Sequence, residues 1–215
     1  MKIIYEDENV QVLDKPAGVN SDDFEKRAHR LDKDTSGIFL VAKNDETLEF
    51  LQKQFQNREV KKKYIALVAG NLKNTEGTIE TLLGRSPSDR RKQKIFMPHD
   101  PQAEDKRAAI TKYKVLQRFE NYDLIEVEPL TGRKHQIRAH MAYLGHPIAG
   151  DKLYGFKNQL LPKGLNRQFL HAKYLEIKLP DPLRQRFSEA SGQIKKFESE
   201  PSDDLKLCLK QLKQI

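Results

Sequence analysis

An α+β fold follows from the size and order of the apolar segments. Short runs rich in branched and aromatic residues recur along the chain, and amphipathic stretches long enough for helices separate only some of them. The most apolar run, Ile38-Phe39-Leu40-Val41-Ala42, is too short for a helix and reads as a buried strand. Directly before it lies His29-Arg30-Leu31-Asp32-Lys33-Asp34-Thr35-Ser36-Gly37. Small turn-forming residues between a polar segment and a core strand place Asp32 at a strand mouth, on a loop braced by rigid structure. An aspartate there is either a catalytic group or a turn and cap residue, and its type and position leave both open.

The other elements follow in order. Ile3 to Tyr5 and Val10 to Leu13 read as strands joined by the acidic turn Glu6-Asp7-Glu8-Asn9, and Lys15-Pro16-Ala17-Gly18 turns the chain again. After the central strand, Asn44 or Asp45 can cap a helix with Leu48, Leu51 and Phe55 on one face. Lys61 to Gly70 is a strand led by three lysines into Tyr64. Gly84 to Arg107 is polar and basic, carries Arg85, Arg90, Arg91, Lys92 and Lys94, and reads as a hairpin or long loop. Strands follow at Ala109 to Leu116 and Tyr122 to Val127. His135 to Leu144 is a helix with Ile137, Met141 and Leu144 on one face and Gly145 placed for its C-cap. Phe169 to Leu179 is a strand, Arg184 to Glu200 is charged and expected to be mobile, and Ser202 caps a last helix whose Leu205, Cys208, Leu209 and Leu212 share a face. No internal repeat, low-complexity tract or linker interrupts the chain, so one domain over residues 1–215 is expected.

Composition narrows the function. A net charge of +8 suggests an anionic partner, against the plainer reading of a soluble basic protein. Cys208 is the single cysteine, so internal disulfides and a cysteine-based zinc site are excluded. No apolar run approaches the roughly 18 residues a membrane span needs, and Met1-Lys2-Ile3-Ile4-Tyr5-Glu6-Asp7 is not a signal peptide. A cytoplasmic protein with no membrane contact is expected. His135 and His140 invite a metal reading, but their i, i+5 spacing puts them on different helix faces and no carboxylate completes the set.

The stretch from His29 to Gly37 resembles the His-Arg-Leu-Asp-x-x-Thr-Ser-Gly signature of the RluA-type pseudouridine synthases, with every specified position matched. Thr131-Gly132-Arg133-Lys134-His135-Gln136-Ile137-Arg138-Ala139-His140 is similar to a second family pattern, Thr-Gly-Arg-x-His-Gln-Ile-Arg-x-His. Its continuation stands as Gly145-His146-Pro147-Ile148-Ala149-Gly150-Asp151, with Tyr154 after it. The strand Lys61 to Gly70, the segment Phe169-Leu170-His171-Ala172 and the closing segment Phe197 to Leu207 resemble further family segments, so the likeness runs from Ile3 to about Leu209. The gap of ten residues between Gly18 and His29 is shorter than in the family, and the histidine often found soon after the Lys-Pro-x-Gly turn is absent. The pattern begins with the first residues, so no N-terminal S4-type RNA-binding module is expected.

The resemblance implies a mixed, largely antiparallel sheet and an enzyme that isomerises uridine to pseudouridine in a structured RNA, a ribosomal or transfer RNA stem-loop. It implies a monomer working without a cofactor, since nothing is oxidised and no group is transferred. Asp32 is then the nucleophile at C1′ or assists glycal formation. Arg138 is the guanidinium that keeps it ionised, and Tyr64 stacks on the detached base. Arg30 fills the space the base leaves, Arg133 binds phosphate, and His135 lies at the substrate. Leu170 packs on base or sugar, and Arg90, Arg91 and Lys92 contact the backbone.

Two other classes compete: a non-catalytic RNA-binding or ribosome-assembly factor on the same fold, and a glycosidase-like hydrolase using Asp32 and Asp34 as its carboxylate pair. The basic balance and the lack of tryptophan oppose the second. Asp34→Asn separates them. A hydrolase loses roughly a thousandfold or more of its rate, whereas a synthase changes by less than about tenfold, as single-turnover rates on labelled RNA would read.

Overall fold

The computed structural model describes residues 1–158, 161–180 and 192–215. In chain order these form β1 (Lys2–Glu6), β2 (Val10–Lys15), β3 (Ser36–Ala42), α1 (Asp45–Asn57) and β4 (Lys61–Ala69). Then come β5 (Glu76–Arg85), β6 (Gln93–Phe96), β7 (Arg107–Phe119), β8 (Tyr122–Pro129) and α2 (Gln136–Tyr143). β9 (Leu170–Leu179), β10 (Gln193–Glu198) and α3 (Asp203–Lys210) complete the set. The chain groups into two compact units, Met1–Lys63 with His171–Ser202 and Tyr64–Leu170 with Asp203–Ile215.

The first unit is a mixed sheet with one helix. β1, β2 and β3 are antiparallel neighbours, β3 runs parallel to β9, and β10 runs antiparallel to β9. The acidic turn between β1 and β2 forms because Asp7 Oδ1 accepts the backbone N–H groups of Asn9 and Val10, each at 2.8 Å. Asn44 is the residue that caps α1, its side chain accepting from Thr47 N–H at 2.8 Å. Leu51 of α1 is fully buried in the apolar cluster that also holds Val12, Leu40 and Ile177.

The expected mobile stretch Arg184 to Glu200 is corrected in part. Gln193–Glu198 is strand β10, while residues 184–191 lie outside the described residues. The strand reads as polar because its one buried side chain is Phe197, flanked by outward-facing lysine and glutamate.

The second unit is an antiparallel sheet in the order β4-β8-β7-β5-β6. Its core is built from Ile65, Leu67, Ile125, Val127, Ile137, Met141, Ile148 and Phe169, and from Leu205 and Cys208 of α3. Arg167 forks Asp204 at 2.7 and 3.0 Å and so ties α3 to the segment before β9. The helix expected from His135 begins one residue later, with His135 as its left-handed cap (φ 54°). Gly145 follows at φ 82° as the expected C-terminal stop.

β5 has no counterpart in the sequence expectations. Its inward positions are Ile79, Thr81 and Leu83, so a polar threonine interrupts the apolar alternation. Gly77 looks like a turn residue but lies in the strand because the Tyr113 ring covers it. A Cβ there would meet that ring at 2.8 Å.

Leu51→Ala should lower the unfolding free energy by about 2–5 kcal/mol, read as a drop in urea midpoint at unchanged slope. An unmoved midpoint would contradict the packing of α1.

Candidate active site

Asp32 is half-buried on a loop of the first unit whose backbone is held by buried side chains. Lys15, at the end of β2, is completely buried. Its ammonium donates to the carbonyl oxygens of Pro16 at 3.0 Å, Val19 at 2.8 Å and Lys33 at 3.1 Å. Ser21, also fully buried, donates its hydroxyl to Leu31 O at 2.8 Å and accepts Leu31 N–H at 3.0 Å. Both backbone groups of the residue before Asp32 are thus satisfied by one side chain. Thr35 N–H closes the turn on Asp32 O at 3.0 Å. Arg30 is exposed and approaches Asp22 at 3.9 Å.

The small residues after Asp32 are a docking surface for β9. Ser36 Oγ lies 3.0 Å from His171 Nδ1, and His171 Nε2 lies 3.0 Å from the carbonyl of Ser199. A carbonyl only accepts, so Nε2 carries the proton and Nδ1 receives the serine hydroxyl. Gly37 (φ 112°) lies against Ala172, where a Cβ would stand 2.3 Å from the carbonyl oxygen. His29 is a brace for the same loop. It stacks on Phe55 at 4.9 Å and accepts Leu40 N–H at 3.2 Å. Burial first, then the nearby Lys62 ammonium, push its pKa down to about 3, so it stays neutral.

The second constellation lies in the second unit at the start of α2. Arg138 is buried and forks Asp151 through Nε at 2.7 Å and Nη2 at 2.9 Å. Asp151 Oδ1 also accepts the N–H groups of Leu153 and Tyr154 at 2.9 and 3.0 Å. Burial pushes the Asp151 carboxyl up, but Arg138 and these two N–H groups outweigh it and hold the carboxyl below its usual range. The Arg138 guanidinium lies 5.1 Å from the centre of the Tyr154 ring. The Tyr154 hydroxyl accepts Gln93 N–H at 2.6 Å and bonds His135 Nδ1 at 3.2 Å.

A closed polar network fixes α2 beneath Arg138. Thr131 Oγ1 donates to Gln136 Oε1 at 2.7 Å, and Gln136 Nε2 donates to Thr111 Oγ1 at 2.9 Å. Thr111 then meets His140 Nδ1 at 2.8 Å, and His140 Nε2 meets Thr81 Oγ1 at 3.0 Å. Both ring nitrogens of His140 thus face threonine hydroxyls, each of which can donate or accept, so either neutral tautomer is satisfied. Burial pushes the His140 pKa down to about 4.

The remaining expected residues fall as follows. Tyr64 is half-buried on β4 opposite Val127. Leu170 is a core residue, 4% exposed. Arg133 donates Nε to Ala108 O at 3.1 Å. The basic stretch from Gly84 is the β5–β6 hairpin. There Arg90 is exposed, Arg91 forks Asp89 with both contacts at 2.9 Å, and the Lys92 ammonium lies 5.9 Å from the Tyr154 ring centre. Lys15 and Ser21 are not marked by any apolar period. The one signal for Lys15 is its inward register on β2, where a strand-end lysine is otherwise expected to reach solvent.

The sequence pattern of the RNA pseudouridylate synthase family matches residues 25–143, which include the Asp32 loop and Arg138. The chain belongs to this family. Within it, the motifs around Asp32 and Arg138 are those of the RluA-type synthases. An uncharacterised RNA pseudouridine synthase of Chloroflexus aurantiacus is 41% identical over 86% of this chain and 52% of its own length. Ribosomal large subunit pseudouridine synthase D of Borreliella burgdorferi is 38% identical over 81% of this chain and 60% of its own. The chain thus spans between half and two thirds of the length of these relatives. Human RNA pseudouridylate synthase domain containing 1 superposes with a TM-score of 0.72 at 26% identity, covering 100% of this chain and 96% of that one. The pseudouridine synthase fold is therefore the fold of this chain, an α+β arrangement as expected. No helix among the described residues is long and apolar enough to cross a membrane.

His140 gives a test of the network. Its folded pKa is depressed to about 4 from an ordinary 6.5, so its contribution to stability is complete above about pH 6.5. The contribution is lost as pH falls from there through about 4, because the unfolded chain binds the proton first. Urea midpoints should decline across that window, and His140→Gln should flatten the decline whatever its own baseline stability. A parallel pH dependence in both proteins would remove His140 from the account.

Proposed function

We propose that the chain is an RNA pseudouridine synthase of the RluA type, its two units acting as one catalytic domain over residues 1–215. The observation that carries this reading is the complete Asp32 motif, built into a loop braced by Lys15, Ser21 and the Ser36–His171 pair, in a member of this family. The reaction breaks the N1–C1′ bond of a uridine, turns the base over and joins C5 to C1′. The C5 proton leaves to water and N1 ends protonated, so atoms and electrons balance within the nucleotide and water, and no cofactor is required. Asp32 acts at the sugar, either as nucleophile at C1′ or by assisting glycal formation.

Arg138 is proposed as the cation that keeps Asp32 ionised. Its setting supports that role, since the fork to Asp151 holds the buried guanidinium in one orientation. Tyr64 stacks on the base, a contact worth roughly 1–3 kcal/mol. Leu170 supports base or sugar from the core, and Arg30 fills the vacated stack. Arg133, His135, Arg90, Arg91 and Lys92 hold the RNA, and their phosphate contacts offset the few kcal/mol needed to extrude a uridine. The substrate class we propose is a stem-loop of ribosomal or transfer RNA, with ribosomal RNA favoured by the name of the Borreliella relative. The protein is proposed to act as a monomer in the cytoplasm.

RNA pools carrying tritium at uridine C5 test the reading, because pseudouridine formation releases that label to water. Wild type should release it from ribosomal or transfer RNA, and Asp32→Asn should be slower by about a thousandfold or more. Tight RNA binding without release from either pool would replace this reading with a non-catalytic RNA-binding factor.

A further inference from the structure

Tyr154 lies beside the proposed site but has no part in the chemistry above. It is nevertheless where three features of the second unit meet. Its ring faces the Arg138 guanidinium at 5.1 Å, its backbone N–H shares Asp151 Oδ1 with Arg138, and its hydroxyl accepts Gln93 N–H at 2.6 Å. Lys92, the neighbour of Gln93 on the basic hairpin, brings its ammonium to 5.9 Å from the same ring centre.

The geometry of a fork explains why a ring is needed there. Two parallel N–H···O bonds from Arg138 to Asp151 fix the guanidinium along the carboxylate, but they form a hinge about which the planar group can rock. An aromatic face against that plane removes the rocking, and the ring quadrupole favours the cation on it. The hydroxyl adds a different function. By accepting the Gln93 N–H it holds the start of β6, so the strand carrying the hairpin cations is tied to the ring that orients the arginine.

We infer that Tyr154 is the positioning residue for Arg138 and the joint that couples the basic β5–β6 hairpin to it. This rests on the reading of Arg138 as a catalytic cation. Ring and hydroxyl have separable roles. The ring governs turnover through Arg138, and the hydroxyl governs RNA affinity through the hairpin and through His135, which it also bonds at 3.2 Å.

Steady-state tritium release from C5-labelled RNA tests both roles in the full chain. Tyr154→Leu should lower kcat about tenfold or more. Tyr154→Phe keeps the ring and should restore kcat to within about threefold of wild type, while raising KM for RNA severalfold. In an Arg138→Lys background, adding Tyr154→Leu should cost less than about threefold in kcat, because the group it orients is already gone. Equal kcat for the Phe and Leu variants, or full multiplication of the Leu effect on Arg138→Lys, would overturn the inference. The Arg138 Nε–H resonance gives a readout that does not need activity. It should be sharp in wild type and Tyr154→Phe and broadened in Tyr154→Leu, with the amide spectrum reporting an intact fold. An unchanged resonance in the Leu variant would also overturn the inference. A wild type that releases no tritium while the resonance behaves as expected would sink the catalytic reading and leave the positioning intact.

Discussion

A loop that must present a carboxylate at a fixed place has to satisfy its backbone polar groups without the ladders of a helix or sheet. The Asp32 loop meets that constraint with side chains sent into it from earlier in the chain. Lys15 gathers carbonyl oxygens from both sides of the loop, and Ser21 bonds both backbone groups of Leu31. A buried lysine is costly unless its charge is surrounded by acceptors, and three carbonyls supply that surround. The arrangement makes the loop rigid where a solvated one would drift. It also explains why the residues following Asp32 are small, since Ser36 must reach His171 and Gly37 must clear the Ala172 carbonyl.

The second unit solves a related problem in the opposite setting. Arg138 is a buried cation, and its helix carries further buried polar groups at Gln136 and His140. Each has named partners, from Thr131 through Gln136 and Thr111 to His140 and Thr81. A fully satisfied network of this kind rigidifies a core and specifies one arrangement, where a half-satisfied one would cost more than apolar packing. The helix is therefore held by directional bonds on the face where β5 and β7 lie and by Ile137 and Met141 in the apolar core. Arg138 inherits a backbone that cannot rotate about the helix axis without breaking several hydrogen bonds at once.

These two mechanisms explain what was legible in the sequence. β3, α1 and the ends of α2 could be read because apolar period, an Asn cap and a Gly stop agree there. The Asp32 and Arg138 motifs were legible as strings of residues whose spacing is rare by chance. Local pattern could not reveal the pairing of Arg138 with Asp151, because it is a contact across a turn rather than a periodicity. β5 was hidden because its inward Thr81 serves His140 and its Gly77 serves Tyr113, so a strand position carried the residue types of a loop. β10 was hidden because a single phenylalanine anchors it. In each case tertiary partners, not local preference, decided the residue.

The same partners change what the net charge of +8 means for RNA. Salt-dependent binding follows the number of phosphates a protein neutralises, not the number of its cations. Lys15 is enclosed by carbonyls, Arg138 and Arg167 are buried against Asp151 and Asp204, and Arg91 is forked by Asp89. Cations with such commitments release no counterions on binding unless they first leave their partners, and the buried ones cannot leave without opening the fold. Arg30 beside the Asp32 loop and Arg90 in the hairpin turn are exposed, so under the proposed function they can meet a polyanion without opening the fold. Basic composition points to a polyanion as partner, but the location of each positive charge, set by the carboxylate or carbonyl it meets, decides where that polyanion can lie.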